Sequence, residues 1–342
     1  MKKSMLLLFL TIAAVVLNSS CNQKKSEKIA FGGEAQGTYY SITYFDSLNR
    51  NFQPQIDSLL KAFDQSLSLW VENSIISRVN NNDTSASIDQ LFEVVFNTSQ
   101  MISEASGGAF DITVGPLVKA WGFSFKKGVN PDQNMIDSLH QLVGYHRVKL
   151  VNHKLIKDDP RIQVDFNAIA QGYSSDVIGD FLESKGITNY LVDVGGEIIG
   201  KGSKPDDKPW IVGIEKPADS ATAERVVTKK IKLKDQAVAT SGSYRKYFEK
   251  DGKRYSHTID PATGKPVDHH LLSVSVIAPS AILADGYATA FMVMGTKKAL
   301  EFLDNHPELQ AFFIESDNKG GYIESYSKSF KTLIDSTTVM KE

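Results

Sequence analysis

The sequence lacks several features that mark common protein classes. Its 342 residues include a single cysteine, so no disulfide can form within the chain. The 38 Lys and Arg nearly balance the 40 Asp and Glu, and the basic residues form no run, which argues against a nucleic-acid-binding protein. No repeat period or GxGxxG pattern is visible, which disfavours a solenoid and a Rossmann site. Hydrophobic residues make up 42% of the chain, which is enough to form the core of one large domain or of two lobes sharing an interface.

The N-terminus has an apolar run that is too short to be an ordinary membrane span. Lys2 and Lys3 precede a stretch of about 13 residues, from Met5 to Leu17. A spanning helix needs roughly 20 such residues. The layout is that of a signal peptide, which is removed from the mature protein.

The only cysteine, Cys21, stands where this signal peptide would end. Its position resembles the lipidation site of a bacterial lipoprotein, in which the acylated cysteine becomes the new N-terminus. The alternative is an ordinary cleavage site with Cys21 beside it. We predict a signal peptide with lipidation site at 1–21, a flexible tether at 22–28, and a single folded domain at 29–342.

Hydrophobic periodicity predicts interspersed strands and helices without a regular βαβ rhythm. Helices are predicted at 54–69, 88–106, 171–185 and 282–294, and strands at 37–45, 148–155, 162–165, 190–194 and 272–277. The stretch 107–123 is predicted to be a loop. This order favours an α+β fold, with mixed sheets and helices in two closely joined lobes around a central cleft, over a doubly wound sheet.

Four polar, glycine-rich segments interrupt the core pattern. They are SGGAFDITVGPLVKAWGF at 106–123, VDFNAIAQGY at 164–173, VDVGGEIIGKG at 192–202, and a long segment at 237–266 that contains TSGSYRKYF and HTIDPATGKP. Adjacent glycines allow close approach to a ligand, although each segment by itself could be a structural turn. The second segment leads into a helix whose first amides could hold a phosphate.

Two further features suggest chemistry. Asp285 and Thr289 are four residues apart on a predicted helix, so both oxygens face the same way. A carboxylate in an apolar helix needs a partner, and a hard cation is a natural one. His257 either braces its strand or, beside a phosphate site, acts as a base.

Together these segments resemble the ApbE family, the FAD:protein FMN transferases. The resemblance runs from GTYYSITY at Gly37 through the segments above, with LVDVGGEI among them, to ADGYATAFMVMG. It implies that FAD is the substrate and Mg²⁺ the cofactor. It also implies a metal site of Asp285, Thr289 and the main-chain oxygen of Ala168. The implied FAD contacts are Gln36, Trp70, Ala109, Phe110, Asp111, Asp165, Gln171 and Ile259.

The family often has Lys or Glu in place of Gln171, and Met in place of Gln36. The implied reaction moves FMN from FAD to a Thr or Ser hydroxyl of another protein and releases AMP, with His257 as the base. The implied acceptors are subunits of membrane flavin-dependent electron-transfer complexes. The enzyme would be lipid-anchored to the cell membrane or outer membrane, on the periplasmic or extracytoplasmic face. Two alternatives stay open, an FAD pyrophosphatase and a non-catalytic FAD-binding lipoprotein.

Overall fold

The computed structural model describes residues 26–123, 131–217, 226–243, 258–317 and 319–335, together with the backbone of 247–250 and 253–256. Its α-helices are α1 (Gln53–Leu67), α2 (Ile75–Asn80), α3 (Gln90–Ala105), α4 (Gly115–Ala120), α5 (Gln133–His140), α6 (Ala170–Ser184) and α7 (Ala281–Leu303). Its first eight strands are β1 (Glu27–Ala35), β2 (Thr38–Asp46), β3 (Val148–Val151), β4 (Lys154–Lys157), β5 (Tyr190–Val194), β6 (Glu197–Lys201), β7 (Trp210–Glu215) and β8 (Val227–Leu233). The others are β9 (Gln236–Gly242), β10 (Tyr247–Lys250), β11 (Lys253–Ser256), β12 (Ile259–Asp260), β13 (Lys265–Pro266), β14 (Leu271–Ala278), β15 (Gln310–Ser316) and β16 (Tyr322–Tyr326).

Within the described residues, eight strands form one sheet in the order β1-β2-β5-β6-β9-β14-β15-β16. Every neighbouring pair in it is antiparallel. Such a sheet with helices packed on it is an α+β architecture, so the predicted fold class is confirmed.

The two faces of this sheet are covered differently. Along β9, Ala237 and Ala239 pack in the core beneath α3, α6 and α7, whereas Val238 packs on the opposite face against the β7–β8 hairpin. This alternation follows from the two-residue repeat of a strand. β6 pairs with β9 only from Ile198 to Gly200, so the sheet opens where β9 continues to Gly242.

The structure differs from the predicted elements in several places. The single strand predicted at 148–155 is the β3–β4 hairpin, whose turn has positive φ at Asn152 and His153. A short helix, α4, lies inside the predicted loop at 107–123. The predicted strand at 162–165 is absent from the described residues, because Val164 exchanges both backbone hydrogen bonds with the side-chain amide of Asn80, at 2.8 Å each, instead of with another strand. The last helix continues beyond Gly295, where the backbone breaks at φ 75° and the freed carbonyl of Met292 accepts a hydrogen bond from His269.

The N-terminal predictions lie mostly outside the described residues. Residues 1–25, which include Cys21 and the predicted signal peptide, are not among them. Strand β1 begins at Glu27, two residues before the predicted start of the folded domain. No helix in the described part of the chain is both long enough and apolar enough to span a membrane.

Candidate functional site

A cleft of about 1320 Å³ opens where β6 and β9 separate. One side, which we call the helix wall, consists of residues 165–171 and the α7 residues 285–293. A second side, which we call the loop wall, consists of residues 109–123 and 258–261. The turn between β1 and β2, the end of α1, the β5–β6 turn and part of β7 complete the lining.

All the described residues that the sequence singled out line this one cleft. They are Gln36, Trp70, Ala109, Phe110, Asp111, Asp165, Ala168, Gln171, Ile259, Asp285 and Thr289. They lie up to 253 positions apart in the chain, from Gln36 to Thr289, so only tertiary folding brings them together. Their individual roles stay predictions. His257, the predicted base, lies outside the described residues, and Thr258 is the next residue along the chain whose side chain is described.

The helix wall is built by close contact between α6 and α7. The carboxylate of Asp285 accepts a hydrogen bond of 2.9 Å from the backbone N–H of Gly172, in the first turn of α6. A Cβ atom on Gly172 would lie 2.3 Å from the carbonyl oxygen of Ala281, so only glycine allows this approach. Asp285 and Thr289, one helical turn apart, therefore face the cleft beside the segment that precedes α6.

Burial dominates the electrostatics of the Asp285 carboxyl. The side chain is half-buried at the base of the cleft, and desolvation raises its pKa to about 7, against the opposing effect of the Gly172 hydrogen bond. Among the described residues no salt bridge involves it. A carboxylate in this position would be stabilised by a cation bound in the cleft.

On the loop wall, Asp111 is tied to the backbone. One carboxylate oxygen accepts from the N–H of Thr113 at 2.7 Å and from its hydroxyl at 2.6 Å, and the other accepts from the N–H of Tyr145 at 2.7 Å. The preceding turn uses positive φ angles at Gly107 and Gly108, of 62° and 82°. Asp111 thus fixes the loop that presents Ala109 and Phe110 to the cleft.

Asp165 joins the two walls. Its N–H donates to the carbonyl of Ile112 at 2.7 Å, and its carboxylate accepts from the N–H of Asn167 at 2.8 Å. Burial raises the pKa of this carboxyl above its ordinary value.

The second part of the loop wall, residues 258–261, and the turn that follows it as far as residue 266 rest on a small core of their own. Leu117, Ile136 and Ile259 form this cluster, separate from the main core. His140 bonds to the carbonyl of Pro261 at 2.7 Å, and the indole N–H of Trp121 donates to the carbonyl of Gly264 at 2.9 Å. α4 and α5 therefore position Ile259 at the cleft.

The two glutamines sit near the open end of the sheet. Gln36 has a positive φ of 54° in the turn between β1 and β2, and its side-chain nitrogen is buried without a hydrogen-bond partner in the described structure. Gln171 donates to the carbonyl of Val194 at 3.2 Å, beneath the Gly195–Gly196 turn. Trp70 is 65% exposed at the rim. Its large exposed ring is suited to contact with a ligand or a second protein.

Several acidic residues of the cleft were missed by the sequence reasoning. Asp64, Asp193, Glu197 and Glu215 line it together with Asp111, Asp165 and Asp285, and no described lining residue is Lys, Arg or His. Burial also raises the pKa of Asp64. Asp64 and Glu215 lie outside the glycine-rich segments, whereas Asp193 and Glu197 lie within the segment at 192–202 but were not singled out there. An anionic ligand would need a cation to enter a cleft with this charge.

The donors in the helix wall fit a hard cation. Within the described residues there is no cluster of three or more His, Cys, Asp or Glu side chains suited to a metal. The predicted set includes only one such side chain, Asp285, with the hydroxyl of Thr289 and the carbonyl of Ala168. Oxygen donors of these kinds suit Mg²⁺, which keeps several waters and is also held by substrate phosphates.

Known proteins resemble this chain over most of its length. A model of the ApbE family matches residues 36–313. The chain is 36% identical to an FAD:protein FMN transferase of Vibrio cholerae, over 94% of this chain and 97% of that protein. The solved structure of a flavin transferase ApbE from Vibrio cholerae matches with a TM-score of 0.80 at 34% identity, covering 90% of this chain and 99% of the other. The apo flavinyl transferase ApbE of Pseudomonas stutzeri matches at 0.81 and 33% identity, covering 90% and 97%. The residues that the family model matches include both walls of the cleft. As the sequence motifs predicted, the chain therefore belongs to the ApbE family.

Proposed function

We propose that this protein transfers FMN from FAD to a Thr or Ser hydroxyl of an acceptor protein and releases AMP. The observation that carries the proposal is the convergence of all the described candidate residues on one cleft. The relatives named as FAD:protein FMN transferases support the same reaction.

Mg²⁺ is the proposed cofactor, held by Asp285, Thr289 and the main-chain oxygen of Ala168. When bound, it would neutralise charge on the pyrophosphate and on the departing AMP. The half-buried Asp285 carboxylate makes no salt bridge in the described part of the chain, and this and the acidic lining both favour a cation at this place.

The chain's own residues orient the two reactants. Trp70, Phe110 and Ile259 would offer apolar surface to the flavin. Asp111 and Asp165 hold the loops that carry these contacts. The N–H groups of Ala170 and Gly172 at the start of α6 bond to Phe166 and Asp285, so the charge of the phosphates would be met by the cation and not by these amides. The acceptor hydroxyl attacks the FMN phosphorus, the bond from that phosphorus to the AMP oxygen breaks, and His257 takes the hydroxyl proton.

The test is incubation of the purified protein with FAD, Mg²⁺ and candidate acceptor domains, followed by mass measurement of the acceptor. The expected result is an acceptor heavier by one FMN, with an equal amount of AMP. Release of FMN and AMP with no change in acceptor mass would identify a pyrophosphatase instead. Binding of FAD without either product would identify a non-catalytic FAD-binding protein.

We also propose that the enzyme acts at a membrane, anchored by lipid on Cys21. The apolar run before Cys21 and the polar segment after it support export and tethering. Two acyl chains make anchoring stable, whereas one is marginal. Its acceptors would then be subunits of membrane electron-transfer complexes in the same compartment. Mass spectrometry of the membrane fraction should find a lipid-modified N-terminal cysteine, and a soluble mature chain with a free Cys21 thiol would contradict the proposal.

A further inference from the structure

We propose that Asp176, which does not line the cleft, is a positioning residue for the cation site. It would act by holding the first turn of α7, so that Asp285 and Thr289 keep their places beside Ala168. The inference rests on the proposed function, because it assumes that these three residues bind the cation.

Asp176 caps α7 from the neighbouring helix. Its two carboxylate oxygens accept hydrogen bonds from the backbone N–H groups of Ala281 and Ile282, at 2.7 and 2.8 Å. The residue at the N-cap of α7, Ser280, makes no side-chain cap hydrogen bond. The start of α7 therefore takes its side-chain cap from α6, whose carboxylate satisfies two amides that a helix leaves unpaired.

In the second contact between these helices the roles are exchanged, because the carboxylate belongs to α7 and the amide to α6. Asp285 of α7 accepts from the N–H of Gly172 in α6, and no side chain caps α6 at its own N-cap. Gly172 and Asp176 are four residues apart on α6, as Ala281 and Asp285 are on α7, so each pair lies on one face. Each helix thus supplies a carboxylate to the N-terminus of the other, and the cap at Asp176 lies one turn from the candidate ligand Asp285.

This arrangement fixes the position of α7 along its axis, and its rotation about that axis, relative to α6. A bond from Asp176 to two successive amides sets the first turn of α7, and the next turn carries Asp285. Without it, the described hydrogen bonds between the two helices would be reduced to the one from Gly172 to Asp285. Carboxylates that orient metal ligands typically matter by roughly 10- to 100-fold in metal affinity or activity, although they never touch the metal.

The charge of Asp176 agrees with a role beyond packing. The side chain is 9% exposed, and burial raises its pKa to about 7, assisted by the nearby carboxylates of Asp180 and Asp285. An ordinary helix cap on the surface would avoid this desolvation cost. Asp176 lies where α6 and α7 must keep a fixed position relative to each other if Asp285 and Thr289 are to bind the cation.

The experiment measures binding of Mn²⁺, used as a paramagnetic probe for Mg²⁺, by electron paramagnetic resonance on the full chain. In Asp176→Asn one oxygen is replaced by an NH₂ group that faces an amide N–H. We expect Mn²⁺ affinity to fall by about tenfold or more. In the transfer assay the Mg²⁺ concentration needed for half-maximal rate should rise in proportion, while the rate at saturating Mg²⁺ stays within a few fold.

The matched control is Asp89→Asn. Asp89 caps α3 by accepting from the N–H of Phe92 at 2.9 Å and from the hydroxyl of Ser66 at 2.7 Å, and it does not line the cleft. This change should leave Mn²⁺ affinity as in the wild type even if it lowers the melting temperature. If Asp176→Asn does not fold, Asp176→Glu retains both carboxylate oxygens and should fold with an Mn²⁺ affinity between those expected for wild type and Asp176→Asn.

Variants of Asp285 and Asp176 distinguish an error in the cation site from an error in the role of Asp176. If wild type binds Mn²⁺ and Asp285→Ala abolishes the binding, the cation site stands. A folded Asp176 variant with wild-type Mn²⁺ affinity then overturns the role of Asp176 alone. If Asp285→Ala binds Mn²⁺ as wild type does, the proposed cation site is wrong, and the positioning role falls with it.

Discussion

The helix wall and the loop wall of the cleft are built on different foundations. The helix wall belongs to the main core, in which Ala281, Ala284 and Ala288 of α7 are almost fully buried. The loop wall draws on both: Phe110 and Ile112 belong to the main core, whereas residues 258–261 rest on the small separate cluster of Leu117, Ile136 and Ile259. Asp285 is therefore placed by a pair of helices in the main core, whereas Ile259 is placed by a cluster with far fewer buried side chains.

The largest expected effect follows from removing the charge of the helix wall. Asp285→Ala should abolish FMN transfer and Mn²⁺ binding while leaving the fold intact, because this carboxylate faces the cleft. Thr289→Ala should be milder, since water can replace a hydroxyl on Mg²⁺. The measurements are acceptor mass, Mn²⁺ binding and circular dichroism. Asp304→Ala, at the exposed end of α7, is the control. Full activity of Asp285→Ala at limiting Mg²⁺ would contradict the assignment.

The second prediction concerns how the free energy of unfolding depends on pH, through the Asp176 carboxyl on α6. In the folded chain the pKa of Asp176 is about 7, so between pH 4 and 7 the folded state keeps a proton that the unfolded state has lost. Asp176 should therefore lower the free energy of unfolding without metal as pH rises through this window, by a contribution of at most about 4 kcal/mol, because one pKa unit is about 1.4 kcal/mol. Asp285 contributes in the same direction in wild type and in Asp176→Asn. Urea unfolding at several pH values should show a flatter profile for Asp176→Asn. Identical profiles for the two proteins would contradict the shifted pKa.

The third prediction tests the close approach of α6 to α7. Gly172→Ala should destabilise the protein by about 1–3 kcal/mol, the usual range for overpacking, and should weaken Mn²⁺ binding because the new methyl group meets Ala281 and Asp285. Gly286→Ala is the matched control on α7, since the atoms nearest to its methyl group would belong to the side chains of Ile102 and Ile169. Thermal melting and Mn²⁺ titration measure both effects. A loss of stability without a loss of Mn²⁺ affinity would show that the helix spacing does not set the site.

The smallest expected effect is in the loop wall. Trp121→Phe removes the hydrogen bond to Gly264 and replaces the indole by a smaller aromatic ring. Loss of the hydrogen bond alone should cost about 1 kcal/mol of stability, and the change should weaken FAD binding several-fold. Mn²⁺ affinity should not change. Trp210→Phe loses the equivalent bond, to Lys201, on the opposite face of the sheet and should leave FAD binding intact. Equal effects of the two variants on FAD binding would show that the loop wall has no separate role.

The fold was predicted from the sequence where local patterns are strong. The helix predicted at 171–185 and the strand at 190–194 match α6 and β5 within a residue, because their apolar spacing and terminal glycines are local signals. The strand predicted at 162–165 was wrong, since the apolar alternation there reflects burial beside Asn80 and not strand pairing. The short helix α4 was missed because glycine and proline at its start also mark loops.

The candidate residues themselves were determined by the sequence. Gly107, Asp111 and Asp285 were found without a structure, because backbone freedom and charge in an apolar context are properties of each segment. The other candidate contacts, such as Gln36 and Trp70, were implied by the family resemblance. The family followed from their order along the chain, and the comparisons confirmed it.

Only the tertiary structure decided how these segments act on one another. The carboxylate of Asp176 meets the amide of Ala281 across 105 positions of the chain, and the amide of Gly172 meets Asp285 across 113. Neither contact leaves a periodic trace in the sequence. The pKa values of both carboxyls also depend on how much protein surrounds them, because desolvation is set by packing from many segments at once. The sequence therefore specified which groups are present, and the fold determined their partners, their charge and their common cleft.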